Sequence, residues 1–256
     1  MGFLAAHPTE TRYGLNRGVD VAAVAYAARG RAAIGDLAQA EQDLVDVLAI
    51  AERHASPFDW IFACIAAGEV NTLADRLDQA EIWFDRALAW SQSANALLLP
   101  IIAASRLGLI EARSGKVSAG LARLQRTVAD AEQMDFRNEL PFCLAALAEA
   151  TLAAGDVGAA EKLAERARGV SATIEDPTAI VLALLVLGDC AQQRRRKTAA
   201  RARYRAALAI AEGHHFAPLA ARCRTALDEM AGNARGKAIA RPRNIALTQR
   251  DKAPAT

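Results

Sequence analysis

The stretch GDVGAAEKLAERA, residues 155–167, decides the fold. A glycine and an aspartate precede a run of good helix formers, so the pair either shapes a ligand loop or marks the turn between two helices. The pattern recurs at an offset of 40 residues without a gap, and a fixed period of this size is typical of stacked helical repeats. The aligned segments are GDLAQAEQDLVDVLAIA from Gly35, DRLDQAEIWFDRALAWS from Asp75, GKVSAGLARLQRTVADA from Gly115, GDVGAAEKLAERARGVS from Gly155 and RRKTAARARYRAALAIA from Arg195.

Two columns of small residues lie twelve positions apart in every unit. When a short turn joins two antiparallel helices, this spacing places the small residues opposite each other and lets the helices approach closely. The Gly-Asp pair therefore ends one helix and caps the next. The first column is Ala28, Gly68, Gly108, Ala148 and Gly188, and the second is Ala40, Ala80, Gly120, Ala160 and Ala200. Four positions after the second column stand Leu44, Phe84, Leu124, Ala164 and Tyr204.

The composition favours helix throughout, because alanine is the commonest residue and aromatic residues make up 5%. We predict an all-α solenoid of about five helix pairs and a C-terminal capping helix. The chain divides into an N-terminal flank at 1–17, the solenoid at 18–231 and a basic, disordered tail at 232–256. The predicted pairs are 19–33 with 37–54, 57–73 with 77–93, 97–113 with 117–133, 138–153 with 157–172, and 177–193 with 197–213, followed by the cap at 217–230.

The repeated pattern resembles the tetratricopeptide repeat. Two small residues twelve positions apart are followed by a large apolar residue and, in three units, by Ala87, Ala167 or Ala207. The units are longer than the standard repeat of 34 residues and extend the second helix. The resemblance implies a right-handed α-solenoid whose first helices line a concave face, and a function in protein binding.

The long units also resemble the C-terminal helical-repeat region of bacterial STAND signalling ATPases, which carry a cyclase-like or a LuxR-type domain. In that family the region follows the ATPase and senses or relays a partner's signal. No ATPase or cyclase sequence precedes Met1 and no helix-turn-helix pattern follows Glu229, so we expect a free-standing relative or a partner enzyme on a separate chain. The resemblance is carried by GVDVAAVAYAARGRAAIGDLAQA from Gly18, SPFDWIFACIAAGEV from Ser56, LPFCLAALAEATLAAGD from Leu140 and LLVLGDCAQQ from Leu184.

Residue types that perform catalysis form no recognisable pattern. The segment GLIEARSGKVS at Gly108 has six residues between its glycines where a phosphate-binding loop has four, and Val117 replaces the required Ser or Thr. His54 and His214 lie at the ends of second helices, where histidine caps the last carbonyl groups. We therefore predict a non-enzymatic protein without catalytic residues, metal ion or cofactor. The cysteines are too far apart for a zinc or redox motif and are predicted to be buried: Cys64, Cys143, Cys190 and Cys223.

The concave face is the predicted binding site, and a protein or peptide, as a helix or an extended segment, is the expected ligand. Arg106 and Arg113 lie two helical turns apart in the middle of this face. Reversing both charges is expected to leave the fold intact and to abolish partner binding. The predicted residues are Tyr26, Arg29, Ile65, Glu69, Arg106, Leu109, Arg113, Phe142, Glu149, Leu185, Asp189, Gln192 and Gln193.

Charge is distributed unevenly along the chain. The whole chain carries +2, but residues 192–256 hold 15 basic and four acidic residues. A nucleic acid or another anionic partner at this end is the alternative function, although no aromatic residues are interleaved to stack bases. No segment has the ~20 apolar residues of a membrane span, so we expect a cytoplasmic protein; the partner's identity and the oligomeric state stay open. The basic patch consists of Arg194, Arg195, Arg196, Lys197 and Arg201.

Overall fold

A computed structural model describes residues 19–232, which form eleven α-helices and no strand. None of these helices is long and apolar enough to cross a lipid bilayer. The predicted flank at 1–17 and the predicted tail after Gly232 lie outside the described residues. The helices are α1 (Val19–Ala33), α2 (Leu37–His54), α3 (Pro57–Leu73), α4 (Leu77–Ser93), α5 (Leu99–Arg113), α6 (Val117–Gln133), α7 (Leu140–Ala153), α8 (Val157–Ile174), α9 (Pro177–Gln193), α10 (Lys197–Gly213) and α11 (Ala217–Ala231).

The predicted helix pairs are confirmed, with small shifts at three ends. α5 and α7 begin two residues later than predicted, because Pro100 and Pro141 occupy the first turn of each helix, where a missing N–H costs least. α8 continues to Ile174, where Glu175 adopts a left-handed backbone conformation and ends it. The periodicity of the sequence therefore located every helix of the described region.

Each odd-numbered helix (a first helix) packs against the even-numbered helix that follows it (a second helix), and the pairs stack in order. Successive first helices contact one another, so α3, α5, α7 and α9 are buried on most of their surface, whereas each second helix buries one strip. The core is continuous along the stack. Salt bridges also join second helices to the next unit: Glu41–Arg76, Glu81–Lys116 and Glu161–Arg194.

The small-residue columns are buried at all ten positions. A Cβ atom at Gly120 would lie 2.4 Å from the carbonyl oxygen of Gly108, so the two backbones meet directly. A Cβ atom at Gly188 would lie 2.3 Å from the ring of Tyr204, and one at Gly68 would meet a phenylalanine ring in the same way. Glycine in the first column therefore makes room for a large residue of the second helix.

Left-handed backbone conformations recur every 20 residues along the chain. Within the pairs, the glycines of the Gly-Asp turns adopt them as predicted, and Asp156 caps α8 by accepting from the amide of Ala159 at 2.9 Å. Residues other than glycine adopt the same conformation between the pairs, and within two of the pairs at Asp75 and Arg195, which the sequence did not indicate. The positions are Gly35, Ala55, Asp75, Asn95, Gly115, Asp135, Gly155, Glu175, Arg195 and His215.

The stack curves strongly enough for its two ends to meet. A Cβ atom at Gly35, in the first turn, would lie 3.0 Å from the Cβ of Ala217 at the start of α11. These residues are about four and a half units apart along the chain, so the array returns over its own beginning within its length.

We expect Gly188→Ala to lower the free energy of unfolding by about 1–3 kcal/mol, because the new methyl group overlaps the Tyr204 ring. The ring cannot move aside without losing the hydrogen bonds of its hydroxyl group. Urea unfolding of the full chain measures the effect. Gly169→Ala is the control: its Cβ meets nothing within 4 Å, and alanine is the better helix former, so stability should rise by about 0.5–1 kcal/mol. If Gly188→Ala raised stability as Gly169→Ala is expected to do, the result would contradict the packing role of the small-residue column.

The turns allow a second test that involves no side-chain contact. Gly155→Ala forces alanine into a left-handed conformation and should lower stability by about 1 kcal/mol. Arg195→Gly relieves the same strain at the equivalent turn and should raise stability by about 0.5 kcal/mol after the extra entropy of the unfolded chain is counted. If the thermal midpoints of the two variants moved in the same direction, the result would argue against a shared left-handed conformation at these turns.

Candidate functional site

The inner face of the array is the side of the first helices that points away from the second helices. At one end of this face, charged side chains of successive units form a chain of ion pairs. Arg29 Nη2 donates to Glu69 Oε1 at 3.2 Å, and Arg106 Nε donates to the same oxygen at 3.0 Å. Arg106 also pairs with Glu139, the residue before α7. Its guanidinium lies 3.7 Å from the centre of the Phe142 ring, whose face attracts a cation.

A second set of ion pairs joins α5, α7 and α11. Arg113 donates two parallel hydrogen bonds to Glu149, at 2.8 and 3.0 Å. Arg222 on α11 binds Glu149 at 3.0 Å, although α9 lies between these two helices in the stack. Burial by itself raises the pKa of Glu149, but the two arginines outweigh burial and hold the pKa well below its usual value. The pKa of Glu69 is lowered against burial in the same way by its own two arginines.

These ion pairs correct the expectation that Arg106 and Arg113 can be reversed in charge without harm. Both guanidinium groups are largely shielded from solvent by the carboxylates that they bind. A glutamate at either position would face Glu69, Glu139 or Glu149 at close range in a partly desolvated site, which destabilises the fold. Both residues do lie on the first helices, but their partners belong to other units.

The other predicted inner-face residues differ in exposure. Ile65, Leu109 and Leu185 are at most 4% exposed and belong to the core, which corrects their assignment to the surface: the close contact between first helices buries them. Tyr26 is 58% exposed, and the Arg29 guanidinium lies 5.0 Å from its ring centre. Tyr26 is therefore the more exposed of the two aromatic residues in the predicted set, the other being Phe142.

Asp189, Gln192 and Gln193 lie at the end of α9. The Tyr204 hydroxyl group donates to Asp189 Oδ1 at 2.5 Å and to Gln192 Oε1 at 3.0 Å. Burial raises the pKa of Asp189, and the hydrogen bond from Tyr204 opposes this effect only in part. Gln193 is exposed. Two of these three polar groups are thus already bound by a core tyrosine.

A row of apolar side chains, which the sequence did not reveal, runs beside the ion pairs. The contact of its ring with the Arg106 guanidinium shows that Phe142 lies on the inner face. Ile102 and Phe62 occupy the same repeat position in the two preceding units, and both are partly exposed. One helical turn earlier, Phe58 and Leu98 are 48% and 41% exposed. Subtracting the period from Phe142 would have located Ile102 and Phe62, and one helical turn back from these lie Leu98 and Phe58. We term these five residues the apolar strip.

The predicted basic patch lies at the turn between α9 and α10, and all five of its residues are exposed. Arg194 is paired with Glu161 on α8. No ion pair joins the other four to any residue between 19 and 232. Arg196 and Lys197 lie at the start of α10, where the helix dipole is positive and adds to their charge. The patch is thus a cationic surface in which a carboxylate neutralises only the charge of Arg194.

The reactive residue types are held in unreactive surroundings. The four cysteines form no disulfide and are buried, and burial raises the pKa of Cys143, Cys190 and Cys223 to about 11, so these three side chains are thiols at neutral pH. His54 contacts Asp59 on α3 at 2.8 Å, so it joins two units. In the described part of the chain, no three His, Cys, Asp or Glu residues are grouped so that they could hold a metal ion.

The fold and its inner face define an all-α helical-repeat solenoid. Among solved structures, BtubC (BKLC) from P. vanneervenii is similar, with a TM-score of 0.56 and 17% sequence identity over 92% of this chain and 90% of BtubC. The TM-score shows that the two chains share a fold, and identity this low shows nothing further. No family model and no curated protein matches this chain.

Glu149 makes stability depend on pH in a defined direction. Its folded pKa lies below the unfolded value near 4.3, so its contribution is complete above that value and is lost as the pH falls towards the folded pKa. Glu149→Gln abolishes this proton uptake, and we expect stability to fall less steeply with pH below about 4.3. Thermal midpoints in a pH series give the slope. Glu132→Gln, which removes an exposed pair with Arg166, should keep the wild-type slope.

Proposed function

We propose that the chain is a non-enzymatic, tetratricopeptide-like scaffold that binds a protein segment along its inner face. The observation that carries this proposal is the apolar strip, in which Phe58 and Leu98 expose large side chains beside three partly exposed ones. Contiguous exposed apolar side chains with a polar rim are typical of interaction sites. The five residues come from three consecutive first helices, so a segment that crosses the units contacts all of them.

The charges beside the strip define the chemistry of the partner. Arg29, Arg106 and Arg113 are each neutralised by a carboxylate of the array, so they offer little to an anionic ligand. Binding free energy would come chiefly from apolar contact, and the ion pairs would provide a polar edge that orients the segment. We therefore expect an apolar, weakly charged segment.

The close approach of helices across the inner face favours an extended segment over a helix. Arg222 reaches Glu149 across the face, and the two ends of the array meet at Gly35 and Ala217. A helix with its side chains is about 10–12 Å wide, whereas an extended strand lays alternate side chains on one surface. An extended segment places every second side chain on the strip.

The absence of enzymatic activity is supported by the state of the nucleophiles, since the buried thiols are protonated. The link to cyclase or ATPase signalling rests on the resemblance of the long repeats to the helical regions of such proteins. We propose that the bound segment belongs to a signalling partner of that kind in the cytoplasm, where cysteines stay reduced, as the four cysteines without a disulfide are here.

A second candidate function, binding of a nucleic acid or another polyanion, is favoured by the basic patch. Arg195, Arg196 and Lys197 are exposed next to a helix N-terminus, which is a favourable place for phosphate groups. Salt dependence distinguishes the two functions: binding through phosphates weakens steeply as salt rises, and binding through the apolar strip does not.

Peptide display against the full chain tests the proposed function. Peptides selected on the wild type should bind the double variant Phe58→Lys, Leu98→Lys about 10–100-fold more weakly, because two central apolar contacts are replaced by charges. The matched control is Val45→Lys, Ile82→Lys, which changes two equally exposed apolar residues of the second helices and should retain binding. Selected peptides that bind both variants equally would rule out the strip as the site.

A further inference from the structure

A groove of about 400 Å³ opens on the outer side of the array, between α4 and α6 and over the start of α5. Its surface is mainly apolar, and Leu97 on its rim is 74% exposed. The groove is separate from the inner face, since it lies on the side where the second helices are. It is lined by Leu88, Leu97, Pro100, Ile101, Ala104, Thr127, Asp130, Gln133 and Met134.

One repeat position explains why the groove exists. In four units this position holds an apolar side chain that packs against the core: Ile50, Trp90, Val170 and Ile210. In the third unit the same position holds Asp130, which is exposed. A short, charged side chain does not fill the space that tryptophan or isoleucine fills elsewhere, so the floor of the groove is left uncovered.

Asp130 is also poorly compensated. It lies in the last turn of α6, where the helix dipole is negative, so its charge is unfavourable there. Within the described range Asp130 makes no ion pair or side-chain hydrogen bond, whereas the nearby Glu132 and Asp135 are paired with Arg166 and Arg137. A ligand that carries an apolar side chain next to a cation would cover the floor and neutralise this carboxylate.

We propose that the groove binds a segment of the same chain, residues 238–250, with an apolar side chain on the floor and an arginine at Asp130. Residues 233–256 contain six basic residues and one acidic residue, and apolar residues alternate with the arginines. Residues 1–18 have two lysine or arginine residues and one glutamate, which is a poorer match. The matching side chains of the segment are Ile239, Arg241, Arg243, Ile245, Leu247 and Arg250.

The segment has a reach comparable with the size of the array. The stretch from Gly232 to Ile245 spans about 43 Å when extended, close to the diameter of a compact domain of this size. A tether of this kind gives an effective concentration of about millimolar, so a few weak contacts maintain the bound state. This intramolecular contact is independent of the inner face.

Disulfide cross-linking in the full chain tests the proposal. Gln133→Cys places a thiol on the exposed rim and Ala246→Cys places one in the segment, while the four natural cysteines are buried and do not compete. We expect an intramolecular disulfide that forms at a rate independent of protein concentration. Asp130→Lys keeps the groove open with reversed charge, and Asp130→Val fills it as other units do; each should slow the reaction at least about fivefold.

Ser118→Cys combined with Ala246→Cys is the matched control, since Ser118 is exposed on the same helix about 22 Å away. This control should form its disulfide slowly, and the rate should not change when Asp130 is substituted. Equal rates at Gln133 and Ser118, or rates that neither Asp130 variant changes, overturn the proposal. Cross-links that form only between two chains also overturn it and assign the groove to the segment of a second copy.

Discussion

The rest of the structure depends on the close contact between the two helices of each pair. Gly120 meets the backbone of Gly108 at a distance that excludes any side chain, and this contact fixes the separation of the helices. Two other units reach close packing by compensation, since glycine at position 188 makes room for Tyr204 and glycine at position 68 makes room for Phe84. Because volume is conserved across the contact, units with different side chains stack with similar geometry.

Regular stacking produces the curvature, and the curvature determines the electrostatics of the inner face. In a flat array, long charged side chains on the first helices would extend into water and pair weakly. Here the first helices converge, so Glu69 and Glu149 each lie between two arginines and stay ionised in spite of burial. Partial desolvation is offset by pairing, which makes these networks sensitive to the removal of a single member.

The repeat also separates surfaces of different chemistry. The inner face combines an apolar strip with neutralised charges, the outer groove combines an apolar floor with the uncompensated Asp130, and the turn before α10 presents unpaired cations. Each of these properties comes from substitutions in one or a few units that leave the small-residue columns intact. A solenoid tolerates such changes because each unit contacts mainly its neighbours.

The sequence by itself determined the all-α fold, the period, the helix boundaries to within two residues and the caps at Asp36 and Asp156. These features depend on local propensity and on a spacing that repeats along the chain, so both can be read without coordinates. It also placed Arg106 and Arg113 on first helices. Only the tertiary structure decided that these arginines are paired, that Ile65 and Leu185 are buried, and that the ends of the array meet. Small rotations between units accumulate along the stack, and no single unit encodes their sum.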